Sequence, residues 1–174
     1  MKREAFASEE EWQVWNWLDE AKRFRLIRNI HYQPGPFELS PRVSVKVSKR
    51  LKTKTKEDDK FLFHPHMYTP DFAFTVVSDA LLSVFKHTDM GLYGNVIIDV
   101  KGGFNQFGDQ KQFSINQKWM WQKFNLYVEK IVPEKLFKKT WAPDVCRWTA
   151  KKHNPVKKYI GVMTVGEFVQ SLAA

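Results

Sequence analysis

The chain has 174 residues, 43% hydrophobic and 15% aromatic, which is enough to fill one core, so a single domain is expected. Lys and Arg outnumber Asp and Glu by 28 to 19, a net charge of +9; this balance suits a polyanion, nucleic acid first of all, although it also serves solubility. Cys146 is the only cysteine and the start Met1-Lys2-Arg3-Glu4 leads into no apolar run, so an intrachain disulfide, a signal peptide, a membrane partner and a repeat array are all set aside, and a reducing cytoplasm is the expected compartment.

The first helix is predicted over residues 8–28, with Val14, Trp15, Leu18 and Ala21 on one face and the Ser8 hydroxyl capping the first turn. After the Pro34-Gly35-Pro36 turn come short strands at 37–39 and 43–47, the second alternating Val43, Val45 and Val47 with Ser44 and Lys46. The run from Lys49 through Lys60 is too polar for a core and reads as an exposed basic loop or hairpin near 48–60. Strands are predicted at 68–77, 95–101 and 126–132, and helices at 109–124 and 164–172, the last opened by the Thr164 hydroxyl. Residues 133–159 have weak periodicity and stay unassigned. The order points to an α+β or mixed α/β fold, a small central sheet flanked by helices.

The densest chemical signal is Tyr68-Thr69-Pro70-Asp71-Phe72 followed by Asp99-Val100-Lys101-Gly102. Alternation sets Ile97, Asp99 and Lys101 on one face of their strand and Val96, Ile98 and Val100 on the other. Two carboxylates brought together repel unless a divalent cation neutralises them, and hard oxygen ligands suit Mg²⁺, with Mn²⁺ able to substitute. Such an ion beside a lysine is the equipment of phosphodiester hydrolysis. The plainer reading of Asp-x-Lys is a salt-bridged pair at a strand end, and of Pro70-Asp71 ordinary turn chemistry. Glu11 continues the apolar stripe of the first helix and is a third candidate acid; Ser8-Glu9-Glu10-Glu11 is equally a capping box, and both readings can hold.

Taken together, Phe6-Ala7-Ser8-Glu9-Glu10-Glu11, Tyr68-Thr69-Pro70-Asp71-Phe72 and Ile98-Asp99-Val100-Lys101-Gly102 resemble the PD-(D/E)XK nuclease superfamily, and within it the phage endonuclease I type Holliday junction resolvases and related small phage nucleases. The resemblance covers three islands within residues 6–102. It implies a restriction-endonuclease-like core of mixed sheet flanked by helices. It also implies Asp71 and Asp99 as metal ligands, Glu11 as a further acid acting on a metal or its water, and Lys101 as the charge-stabilising amine. The connection between Asp71 and Asp99 is longer than in those nucleases, and Asp stands at 99 where Glu is frequent. The segment Phe113-Ser114-Ile115-Asn116-Gln117-Lys118 resembles the helix that follows the acid-x-Lys strand, which makes Gln117 and Lys118 phosphate-facing candidates against the plainer reading of solvated side chains.

Positive charge concentrates over residues 46–60 and 111–158, and Lys49, Arg50, Lys52, Lys54 and Lys56 are the expected DNA contacts. Trp119, Trp121 and Trp148 read first as core, with stacking on unpaired bases as the alternative. His64 and His66 read as loop residues, since no second ligand pair stands at zinc spacing. A four-way DNA junction has approximate two-fold symmetry, so a homodimer is the expected assembly. The competing functions are a non-catalytic nucleic-acid-binding module with a nuclease-like fold and a restriction or repair nuclease of the same superfamily.

Overall fold

The computed structural model describes residues 1–50, 54–85, 94–102 and 107–172, with the backbone alone for 107–110. The elements in chain order are α1 (Glu9–Arg23), β1 (Ile27–Tyr32), β2 (Phe37–Ser40), β3 (Val43–Arg50), β4 (Thr55–Phe63), β5 (His66–Tyr68), β6 (Phe72–Val76), α2 (Asp79–Leu82), β7 (Asn95–Val100), α3 (Phe107–Phe124), β8 (Val128–Ile131), α4 (Pro133–Lys139) and α5 (Val165–Leu172). The fold is mixed α and β, as expected. Its centre is a four-stranded sheet of order β1-β6-β7-β8, antiparallel except for the parallel β7–β8 pair.

Each face of the sheet is covered differently. Phe72, Phe74 and Val76 of β6 and Val96, Ile98 and Val100 of β7 pack with Val14, Trp17, Leu18 and Ala21 of α1 into the larger core. The opposite face carries a smaller cluster of Leu39, Tyr68, Phe113, Met120 and Val128, against which Ile97 packs. The strand alternation read from the sequence therefore separates two real surfaces: apolar residues on the α1 side, and Ile97 and Asp99 on the α3 side.

The predicted first helix overran. It stops at Arg23 because Arg25 takes a left-handed backbone (φ 59°). The Leu26 N–H then donates to the Ala21 carbonyl at 2.9 Å and the Arg25 N–H to Lys22 at 3.0 Å. This is a Schellman stop, with arginine where glycine is the usual signal. Residues 27–32, expected as the helix tail and the connection after it, form the edge strand β1. The strand expected over 68–77 divides into β5 and β6 around Thr69-Pro70-Asp71, since Pro70 has no N–H to give a ladder. The unassigned stretch contains α4, two short 3-10 turns and much of the buttress of α1. Trp141 stacks on Trp17 at 4.6 Å, and Trp17 Nε1 donates to the buried Thr140 hydroxyl at 3.0 Å. The Thr164 cap is present: its Oγ1 accepts from the Glu167 N–H at 3.3 Å.

The basic segment near 48–60 is a hairpin, longer than expected, in which β3 pairs with β4 from Val43↔Phe63 to Arg50↔Thr55. None of its described residues is buried.

Gly94 sets up the β6–β7 pairing. Its φ is +74°, its carbonyl accepts from the Val76 N–H at 2.6 Å, and a Cβ there would meet the Val76 carbonyl oxygen at 2.6 Å. Gly94→Ala is expected to destabilise the chain by about 1–3 kcal/mol through backbone strain, measured as a lower urea midpoint at unchanged slope.

Candidate active site

Asp71 and Asp99 come together through strand register. The β6–β7 ladder pairs Phe72 with Ile98 and Ala73 with Ile97; Asp71 immediately precedes the last rung and lies close enough to Asp99 for that charge to raise its carboxyl. Asp71 is fastened there by its own backbone and side chain. Its N–H donates to the Ile98 carbonyl at 3.1 Å, and its Oδ2 accepts from the Val100 N–H at 2.6 Å. Asp99 is 3% exposed, and Lys101 Nζ lies 2.6 Å from its Oδ2.

Glu11 arrives from α1, and both sequence readings hold. The Ser8 hydroxyl accepts from the Glu11 N–H at 3.1 Å, while the Glu11 carboxylate accepts from the Ser8 hydroxyl at 3.1 Å and the Ala7 N–H at 3.4 Å. Yet Glu11 is only 7% exposed, accepts from the Tyr32 hydroxyl at 3.0 Å, and its charge is felt at both Asp71 and Asp99. A cap residue alone has no need to be buried beside two other acids. The four candidate residues Glu11, Asp71, Asp99 and Lys101 thus form one cluster.

The electrostatics follow from burial. Loss of water pushes the Asp71 carboxyl up to about 7, the Asp99 charge adds to it, and the Val100 N–H works against it. Burial also raises Asp99, with Lys101 opposing. Two hydroxyls complete the surroundings. Tyr32 is pushed up to about 12 by burial and its bond to Glu11. Tyr68 is raised by burial and then by the charges of Asp99 and Asp71. The buried Tyr68 hydroxyl stands beside the Asp99 carboxylate, whose Oδ2 also meets Lys101 Nζ. Two raised carboxylates, with the Asp99 charge acting on Asp71 and the Glu11 charge on both, form an all-oxygen donor set that fits a hard divalent cation such as Mg²⁺. Among the described residues no three His, Cys, Asp or Glu side chains are grouped closely enough to hold a metal ion together.

The remaining candidates divide. Lys49, Arg50, Lys54 and Lys56 gather at the tip of the β3–β4 hairpin, where Lys49 and Lys56 are ladder partners, whereas the acids Glu57, Asp58 and Asp59 pair farther down with Ser48, Val47 and Lys46. Lys52 lies outside the described residues. Gln117 is occupied structurally: its Nε2 donates to the Val128 carbonyl at 2.7 Å, tying α3 to β8. Lys118 is exposed on α3. The core reading of the tryptophans is corrected, since Trp119, Trp121 and Trp148 are 37%, 40% and 41% exposed. His66 belongs to β5 with its ring 5.4 Å from Trp119, and His64 lies 4.5 Å from Phe61.

Sequence reasoning missed Tyr32 because the overextended helix hid β1. The partial burial of Ile30 and Tyr32 against the core, two residues apart, is the strand signal that reveals it. No family model matches the sequence, and no curated protein or solved structure matches it significantly. Among the described residues no helix is long and apolar enough to cross a membrane.

An acid whose folded pKa lies above its unfolded value near 4 binds a proton that the unfolded chain has lost, so stability falls as pH rises between about 4 and about 7, then levels. Asp71→Asn keeps an acceptor for Val100 and removes the charge. Melted in EDTA, it should match the wild type near pH 4 and melt several degrees higher at pH 8. Equal melting temperatures at both pH values would show that Asp71 carries no buried charge.

Proposed function

We propose that the protein is a metal-dependent endodeoxyribonuclease of the PD-(D/E)XK type that hydrolyses phosphodiester bonds in branched DNA, with the four-way junction as its foremost substrate. The supporting observation is the meeting of Asp71 and Asp99 across the β6–β7 register with Lys101 on the carboxylate of Asp99. A salt-bridged strand end explains Asp99 and Lys101. It leaves unexplained a second, partly buried carboxylate beside Asp99 and a third acid whose charge is felt at both.

In this reading Asp71 and Asp99 hold Mg²⁺ or Mn²⁺, which supplies the positive charge that settles the carboxylate pair and stabilises charge developing on a phosphate oxygen. Lys101, 29% exposed at its side chain, reaches outward from Asp99 to share the charge of the scissile phosphate. Glu11, oriented by Ser8 and Tyr32, receives a proton from the attacking water. The hairpin tip with Lys49, Arg50, Lys54 and Lys56 contacts backbone phosphates, an interaction that reads shape more than sequence. A two-stranded ribbon of this kind also fits a DNA major groove. A homodimer would present two equal sites to a two-fold junction. The reducing cytoplasm of a host cell suits a chain whose single thiol, Cys146, is buried and pushed up to about 12.

With end-labelled four-way junction, nicked duplex, linear duplex and single strand, Mg²⁺ or Mn²⁺ is expected to give paired cuts in the junction. Asp99→Asn and Lys101→Ala should each reduce the rate by about a hundredfold or more with circular dichroism unchanged. Metal-dependent cutting of the other forms would assign a restriction or repair nuclease instead. Tight binding with no cutting under either metal would assign a non-catalytic module.

A further inference from the structure

A cavity of about 350 Å³ runs along the outer edge of β8, and Lys130, Lys135 and Lys139 are among the residues that line it. Lys130 is the ladder partner of Asp99 in the parallel β7–β8 pair. Neighbours in such a ladder project from the same face, about 4.8 Å apart, so Lys130 leaves the sheet beside the carboxylate cluster. The Lys101 N–H, which donates to the Ile131 carbonyl at 2.8 Å, ties the two strand ends together at that point. Lys135 and Lys139 stand one helical turn apart on α4 and share a face.

α4 sorts its lysines. Lys138 is neutralised by Glu134 at 2.6 Å, whereas Lys130, Lys135 and Lys139 form no ion pair among the described residues. Glu129 is the one acid among the described lining residues, and Gln117, held on the Val128 carbonyl, makes a fixed polar wall. Three ammonium groups converging on a solvent-open hollow recognise an anion as point charges, the way lysines meet phosphate.

We propose that this cavity binds a backbone phosphate of the same DNA strand that passes the carboxylates, so that β8 and α4 extend the substrate track beyond the scissile bond. The inference rests on the proposed nuclease function and names a part of its substrate site that lies outside the carboxylate cluster. A free phosphate ion would find the same charges, but the ladder position of Lys130 next to Asp99 favours a phosphate that is covalently continuous with the one at the cluster.

The test is binding without cutting. The affinity of the full chain for labelled four-way junction is measured in EDTA across a salt series, comparing wild type, Lys135→Ala/Lys139→Ala, and Lys151→Ala/Lys152→Ala. The last removes the same charge from an exposed turn elsewhere. The cavity variant should weaken binding by about tenfold and lower the salt slope by about one unit, the contribution of one phosphate contact, while the turn variant stays near wild type. Unchanged affinity and slope in the cavity variant, or an equal loss in the turn variant, would overturn the proposal. Because no bond is cut in EDTA, these outcomes stand apart from whether Asp71 and Asp99 catalyse anything.

Discussion

Two carboxylates on neighbouring strands, largely withdrawn from water, repel each other, and the rest of the site is arranged around that repulsion. A main-chain N–H is committed to Asp71, an ammonium to Asp99, and two tyrosine hydroxyls stand beside the acids. These contacts offset part of the desolvation cost of buried charge; they leave Asp71 at about 7, near the edge of ionisation. A fold shaped for stability alone would gain by replacing either acid with an apolar residue. An acid beside a second acid and near a third is more than a strand-end ion pair requires.

The hydrophobic face behind the acids holds them in place. Phe72 and Phe74 on β6, and Ile98 and Val100 on β7, pack into one core with α1. A slip of one residue would turn those side chains into the polar layer and carry Asp71 away from Asp99, so the apolar face enforces the register that the acids use. The C-terminal segment reinforces the same core, because Trp141 stacks on Trp17 and Phe168 lies 5.0 Å from Trp141. Chain far from the site in sequence thereby fixes the helix that delivers Glu11.

Charge is distributed by pairing in a comparable way. Along the sequence, the described residues between 46 and 60 mix six basic positions with three acids. Folding into a hairpin places the acids toward the middle with Lys46 and Lys60, where Asp58 also pairs with Lys56 at 2.7 Å, and leaves Lys49, Arg50 and Lys54 nearer the tip. On α4, the spacing of Glu134 to Lys138 neutralises one lysine, while Lys135 and Lys139 at the β8 edge form no ion pair among the described residues. A basic excess that looks diffuse in composition becomes two localised features, one at a protruding tip and one next to the carboxylates.

Much of this was legible from local pattern. Period-two alternation located β7 and the facing of Asp99, the Ser8 and Thr164 hydroxyls located two helix starts, and the residue types named the four members of the cluster. Local pattern failed where the decisive contact was distant or the signal atypical. An arginine in a left-handed conformation ended α1 without the expected glycine, which concealed β1 and with it Tyr32. Gln117 looked like a phosphate contact until the Val128 carbonyl claimed it, and three tryptophans with core-like spacing proved to lie at the surface. The sequence by itself determined which chemical groups are present and which face of each strand they take, because those follow from covalent periodicity. Only tertiary structure decided that Asp71 comes beside Asp99, that Glu11 reaches them and that Lys130 is the ladder partner of Asp99, because strand register and helix docking are set by the burial of side chains far apart in the chain.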